Sequence, residues 1–395
     1  MAKVLALSFR FPYPLTDGAR IRIYNVCKIL ARDHTVDLLS LNEGPIQEDS
    51  LRHVEPLFRE IYSFPFHPLR FKLNTLKGIP SRDSLQTYYY HFREVQQWVD
   101  YNLSRYDLVL CFHTRMTRYL RHKADIPRVI DFIDATSINY REAQKWSQGI
   151  WRFVLPIENR RALAYELQML ATFDKAFITS ANDKAYLESH AGRGLEELIV
   201  IPNGVGEDLL SRPPVEDEED WIVFLGKMSY APNVDAVVYF AKEVFPHVRA
   251  LLPEAKFVIV GASPANDVLK LARIPGVCVI GYAKDPYVYL ERAKVVVAPL
   301  RFSAGIQNKI LEAMALRKTV VTTSKGARGI AGKDGTHFVV ADDPMHMAKK
   351  IVELLQDRSL RKVLGWQARQ LVEEHYRWST IGDKLLSELD HVLNP

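Results

Sequence analysis

Short apolar runs of strand length alternate with helically spaced segments along almost the whole chain, and this alternation restricts the fold more than any other feature. KVLALSF (3–9) precedes a loop with proline and glycine, RFPYPLTDGAR; then comes IRIYNVCKILARD, with helical spacing, and then TVDLLSL (35–41). A strand, loop, helix and second strand in that order open a parallel sheet. YDLVLCF (106–112), PRVIDFID (127–134), DKAFITS (174–180), after a helical region 153–172, and LEELIVIPNGV (195–205) continue the pattern. It restarts with WIVFLG (221–226), KFVIVG (256–261), VCVIG (277–281), KVVVAPL (294–300), KTVVTT (318–323) and THFVVAD (336–342), before three helical segments that run to the end. The fold class is α/β, with two doubly wound sheets.

A chain of 395 residues is too long for one ordinary core, which agrees with two domains. Between the two series lies SRPPVEDEED (211–220), with paired prolines and five acids in six residues, which reads as a connector. The expected organisation is two Rossmann-like domains, 1–204 and 205–375, facing each other across a cleft. Ligands of such sheets sit outside the carboxyl ends of the strands.

Charge and cysteine content remove several function classes. The net charge of +5 is mild, and no dense basic stripe with interleaved aromatics marks a nucleic-acid binder, so no nucleic acid is expected. Residues 1–204 carry 27 Lys+Arg against 23 Asp+Glu, an excess compatible with weak attraction to an anionic membrane surface. No apolar run reaches membrane-spanning length, and MAKVLALSFRFPYP enters a strand without a small-residue cleavage site. Cys27, Cys111 and Cys278 are far apart and odd in number, so neither a disulfide framework nor a zinc site is indicated and the cytoplasm is the expected compartment.

RFSAGIQNKILEAMA (301–315) concentrates the chemistry. Arg301 follows a strand, Gly305 permits a tight turn, and a helix expected over 306–317 starts at Ile306 with Lys309 in its first turn. A cation there opposes the helix dipole, so an anion is the natural companion; Arg301, Lys309 and the free amides suit a diphosphate. Glu312, one turn on, suits sugar hydroxyls. On spacing alone, an ordinary surface ion pair between Lys309 and Glu312 is the competing reading. FLGKMSYAPNVDAVVYF places Gly226 and Lys227 at another strand end, with Pro232 opening the next helix, and DGARIR places Gly18 and Arg20 at the start of the first helix. Each of these alone is ordinary turn chemistry.

In order and spacing these pieces resemble the GT-B-fold glycosyltransferases, specifically glycosyltransferase family 4, and closest in flavour are bacterial sugar transferases of polysaccharide biosynthesis. PLTDGARIRIYNVCKILARDHTVDLLSL, FDKAFITSANDKAYL and VIPNGV resemble the acceptor half; FLGKMSYAPNVDAVVYF, KFVIVG, VIGYAKDPYVYLERAKVVVAPLR and GIQNKILEAMALRKTVVTT resemble the nucleotide-sugar half. The resemblance implies a retaining glycosyltransferase that moves a sugar from a nucleotide diphosphate sugar to a hydroxyl of a glycan, lipid-linked or small-molecule acceptor. It implies Glu312 as the ribose-binding residue, Lys227 where the family usually has an arginine for phosphate, Gly18 in a loop near the donor phosphates, and the GYAKD stretch 281–285, with Tyr282, at the base. It also implies a helix, 376–395, that packs back on the first domain. Two departures stand out. The first of the family's paired glutamates falls on Ala304, and its second phosphate-binding lysine falls near Pro232.

No Asp-x-Asp pair in the second half is placed to hold Mg²⁺ on a diphosphate, so no metal and no cofactor beyond the donor substrate is expected. His113 and Asp134 end strands and are candidates to contact the reacting hydroxyl; the alternatives are a solvated loop histidine and a helix cap near Ser137. FHPLRFKLNTLKG (66–78) and WRFVL (151–155) mix basic and apolar residues and read either as membrane-touching or as ordinary half-buried helices. A nucleotide-sugar epimerase of the same fold, or a non-catalytic subunit that binds nucleotide sugar, are the other functional readings.

Overall fold

The computed structural model describes residues 1–145, 147–302 and 305–394. Contacts divide it into two units: residues 1–202 with 382–395, and residues 203–381.

The first unit carries a parallel sheet of seven strands among the described residues. They are β1 (Lys3–Ser8), β2 (Thr35–Asn42), β3 (Glu60–Pro65), β4 (Leu108–Phe112), β5 (Arg128–Asp131), β6 (Lys175–Ile178) and β7 (Leu198–Val200). Their order is β3-β2-β1-β4-β5-β6-β7. The strand order therefore reverses between β1 and β4, which pair in register from Val4↔Leu108 to Leu7↔Cys111. β1, β4 and β5 are buried almost throughout, as strands covered by helices on both faces must be. Sequence reading did not find β3. It is a half-exposed edge strand that closes on Pro65, so it shows neither a continuous apolar run nor a clean alternation.

The second unit holds β8 (Glu219–Leu225), β9 (Lys256–Val260), β10 (Val277–Gly281), β11 (Ala293–Ala298), β12 (Val320–Thr322) and β13 (Val339–Val340), in the order β10-β9-β8-β11-β12-β13. Here the order reverses between β8 and β11. The acid-rich stretch 211–220 lies inside this unit, and its last two residues already belong to β8. Four of its five acids are paired: Glu216 with Arg358, Glu218 with Lys318 and Arg361, Glu219 with Arg292 and Asp220 with Lys294. A run that reads as a connector in sequence thus lies within the second unit and fastens its first strand by ion pairs.

The final helix, Trp378–Leu393, gives residues 382–395 to the first unit. Gly382 lets it approach Ile29, where a Cβ would stand 3.1 Å from the isoleucine side chain. Glu388 pairs with Lys175 at 2.9 Å. Cys27, Cys111 and Cys278 are free thiols.

Candidate active site

In the second unit the chemistry gathers where strand order reverses. β8 ends in Gly226 and Lys227, and β11 leads through Arg301 and Gly305 to the helix Asn308–Ala315. Gly305 has φ 63°, which supplies the expected turn. The helix starts two residues later than its sequence pattern suggests, so Ile306 is a buried anchor before it rather than its first residue. Gly261, after β9, sits at φ 155°, and a Cβ there would lie 1.7 Å from the carbonyl oxygen of Gly226. At Gly226 itself a Cβ would lie 2.7 Å from Asn233 Nδ2 and 3.0 Å from Lys309 Nζ. Gly261 must be bare for the Gly226 backbone to approach it, and Gly226 for the helix side chains to reach it.

Lys309 occupies that space. Its ammonium donates to Asn233 Oδ1 and lies 4.3 Å from the centre of the Phe224 ring. Asn233 Nδ2 in turn donates to the Lys227 carbonyl at 3.0 Å. One buried amide therefore joins the two loops that carry the candidate phosphate cations. Lys309 and Glu312 keep some accessible area but are ringed by protein, so desolvation dominates both. Burial pushes the lysine down to about 7 and the glutamate up to about 7. The Tyr287 phenol hydrogen-bonds to Glu312, and that neighbouring charge, with burial, raises the phenol well above its ordinary range. The simple surface ion pair is therefore not what the structure builds: each group is held by a neutral partner, Asn233 or Tyr287.

The remaining donor candidates differ in their freedom. Lys227 is exposed, and its ammonium has no partner among the described residues. Tyr282 is 74% exposed and follows Gly281 at φ 74°. Arg301 makes a bidentate pair with Asp235, 2.9 Å from Nε, and its guanidinium lies over Tyr239. Its charge is matched here by Asp235, so it braces the β11 loop against the helix Ala231–Tyr239. Ala304 lies outside the described residues.

The first unit repeats the arrangement at its own reversal point. Asp17 caps the helix Gly18–Asp33, accepting from Arg20 N at 3.1 Å, and also pairs with the guanidiniums of Arg20 and Arg10 at 3.0 and 3.1 Å. Arg20 further donates to Thr16 and to the Phe11 carbonyl, so it stiffens the loop that presents the exposed Gly18. Gly18 and Arg20 thus belong to the first unit, whereas the other donor candidates belong to the second.

His113 follows β4 at φ 68° and is buried, which removes the solvated-loop reading. Burial holds its imidazole well below the usual range, helped by Arg115 and Arg10. The Arg115 amide donates to Nδ1 at 3.4 Å, which leaves the proton on Nε2, 3.5 Å from Thr136 Oγ1. Asp134 follows Ile133, a β-branched residue at φ 66°. Its carboxylate accepts from Asn139 Nδ2 at 3.0 Å, and burial with nearby Asp183 pushes it up to about 6. It does not cap the helix Thr136–Gln144. Asp183 takes the Ala135 amide and Glu166 takes the Ser137 amide and hydroxyl.

Sequence reading missed three groups. Asn233 and Tyr287 are polar residues on helices whose partners lie far along the chain. Arg22 and Asp131 form a fully buried pair, with Nε 2.7 and 2.9 Å from the two carboxylate oxygens; Asp131 also accepts from the Ile133 amide at 2.9 Å and so holds the turn that carries Asp134.

Comparison with known proteins agrees with the fold. The description of Glycosyltransferase Family 4 matches residues 16–209 and that of Glycosyl transferases group 1 matches residues 219–357. A 44.6 kDa protein of unassigned function from the cps region of Klebsiella pneumoniae is 23% identical over 98% of this chain and 100% of its own. The capsular polysaccharide biosynthesis glycosyltransferase CapM of Staphylococcus aureus is 33% identical over 31% of this chain and 32% of its own. The crystal structure of Anabaena HepE in complex with UDP-glucose superposes with a TM-score of 0.67 at 16% identity, covering 99% of this chain and 100% of that one. With two reversal-point sites in two parallel sheets and family matches over both halves, the chain belongs to glycosyltransferase family 4 and is a glycosyltransferase of the GT-B fold.

Proposed function

We propose that the protein is a retaining, metal-independent glycosyltransferase of polysaccharide biosynthesis that takes its sugar from UDP-sugar and delivers it to a hydroxyl of a glycan or lipid-linked acceptor. The observation that carries this reading is the desolvated Lys309 held by Asn233 beside Gly226, one helical turn from Glu312. A desolvated ammonium whose hydrogen bond goes to a neutral amide, with Glu312 as its neighbouring carboxylate, can take further negative charge, and a diphosphate supplies it. Lys309, the exposed Lys227 and the amides at the start of the helix Asn308–Ala315 hold the diphosphate; Glu312 exchanges its bond from Tyr287 for ribose hydroxyls. In the reaction the anomeric carbon–oxygen bond breaks, its electron pair stays on the diphosphate, and the sugar becomes oxocarbenium-like. Cations and amides stabilise the leaving group as its charge grows. The acceptor oxygen bonds to the anomeric carbon on the face the diphosphate leaves. Asp134, at about 6, is suited to take the hydroxyl proton near neutral pH, and the buried His113, which follows the neighbouring strand β4, stays neutral there. The capsular context of CapM and the UDP-glucose of HepE support the choice of pathway and nucleotide.

Calorimetry with UDP-, GDP-, ADP- and dTDP-sugars tests the donor assignment. Wild-type protein is expected to bind UDP-sugar with micromolar affinity. Glu312→Ala should weaken this by about 10- to 100-fold, the worth of one or two charge-assisted hydrogen bonds. Binding of no nucleotide, or unchanged binding by the variant, removes the assignment. Sugar transfer should also proceed undiminished in EDTA; activity that EDTA abolishes and Mg²⁺ restores rules out metal independence.

A further inference from the structure

Two helices of the first unit expose apolar side chains in a way that folding alone does not account for. In the helix Pro68–Gly78, Phe71, Asn74 and Gly78 face inward, while Leu69, Leu73 and Leu76 form the opposite stripe, and Ile79 extends it. In the helix Trp151–Leu170, Ile150, Phe153 and Ile157 follow the same spacing, with Trp151 beside them. Leu73 is 61% exposed and Phe153 72%. The two stripes meet. Arg161, one turn beyond Ile157, donates to the Ile79 carbonyl at 3.0 Å. Glu158 accepts from Ser84 Oγ at 3.1 Å and the Leu85 amide at 2.8 Å. Monomeric soluble proteins rarely leave large apolar side chains exposed in such a group.

The charge on these two segments is mainly positive, although Arg70 pairs with Glu94 and Lys145 with Glu142. Residues 66–82 contain Arg70, Lys72, Lys77 and Arg82 and no acid. Residues 145–161 contain Lys145, Arg152, Arg160 and Arg161 against a single acid, Glu158, which is buried. Lys72, Arg82, Arg152 and Arg160 are exposed and have no ion pair among the described residues. Like charge on both sides disfavours a second copy of the same face. An apolar stripe with a basic rim matches an anionic interface whose interior is hydrocarbon. We propose that this face docks the protein on the surface of an anionic phospholipid bilayer, with the leucines, Ile157, Phe153 and Trp151 entering the headgroup boundary and the lysines and arginines pairing with lipid phosphates. No described helix is long and apolar enough to cross a membrane, so the attachment is to one surface. The inference is independent of the donor assignment.

Vesicle co-sedimentation tests it. The protein should pellet with phosphatidylcholine vesicles containing phosphatidylglycerol, should pellet far less with phosphatidylcholine alone, and should be released by salt. Leu73→Ser with Phe153→Ser should lower binding by about tenfold or more per side chain. Lys72→Glu with Arg152→Glu should lower it by at least about fivefold per residue. Both double variants should keep the wild-type urea midpoint, because all four side chains are exposed. Wild-type protein that ignores anionic vesicles, or variants that bind as well as wild type, overturn the proposal. So does a concentration-dependent dimer in sedimentation velocity that the Leu73/Phe153 variant abolishes, because the face then belongs to a second copy.

Discussion

Asp131→Ala is expected to cost about 3–5 kcal/mol of stability, the typical effect of removing one partner from a buried ion pair. Both side chains of the Arg22–Asp131 pair are inaccessible to solvent, so water cannot replace the lost carboxylate. The same carboxylate holds the Ile133 amide in a backbone conformation that a β-branched residue does not adopt unaided. The substitution should therefore shift the urea midpoint strongly and also degrade transfer activity in whatever protein remains folded, since Asp134 is the next residue. The control is the double variant Arg22→Met/Asp131→Leu, which removes both charges. It should be markedly more stable than Asp131→Ala, because the cost lies in the stranded guanidinium more than in the lost bond. A midpoint change equivalent to less than about 1 kcal/mol for Asp131→Ala would show that the pair is not held as the structure has it.

This pair marks the boundary of what sequence pattern reveals. β1, β4 and β8 are legible because a strand buried on both faces is a short continuous apolar run, here bounded by turn residues. β3 is not, because half of an edge strand is wet. The positions of Gly226, Gly305 and Lys309 are legible for a related reason: a turn at a strand end and a helix start each require particular residue types. Asn233, Tyr287 and the pairing of Arg22 with Asp131 are not, since each depends on which distant side chain the fold brings near, and no local spacing encodes a contact across 76 or 109 residues. Arg301 shows the reverse case. A cation at a strand end invites a phosphate reading, and only the geometry shows that Asp235, from another helix, already matches its charge.

Donor binding should show a bell-shaped pH dependence centred near pH 7, and Lys309→Met should remove its alkaline limb while weakening binding about 100-fold, the worth of two strong charge-assisted bonds. The sign follows from the two buried groups. Lys309 is depressed to about 7 in the free protein by burial, and a diphosphate beside it favours the charged form. The complex therefore binds more protons than the free protein above pH 7, and affinity falls by as much as tenfold per pH unit there. Glu312 is raised to about 7, again by burial, and ribose hydroxyls that donate to it favour the ionised form. Below pH 7 binding releases a proton, so affinity falls toward acid, and Glu312→Gln should flatten that limb alone. The same shifts set the stability of the free protein. A lysine depressed below its unfolded value costs stability at neutral and acid pH, and the cost is relieved as pH rises from about 7 toward 10.5. A glutamate raised above its unfolded value costs stability at neutral and alkaline pH, and the cost is relieved as pH falls from about 7 toward 4.5. Near pH 7 the free site therefore bears both costs. Lys309→Met should melt at a higher temperature than wild type there, even though it binds UDP-sugar far more weakly. Calorimetry in buffers of different ionisation enthalpy reads the proton uptake directly. A pH-independent affinity, or a Lys309→Met variant less stable than wild type at pH 7, would show that the ammonium is a structural brace rather than a charge held ready for phosphate.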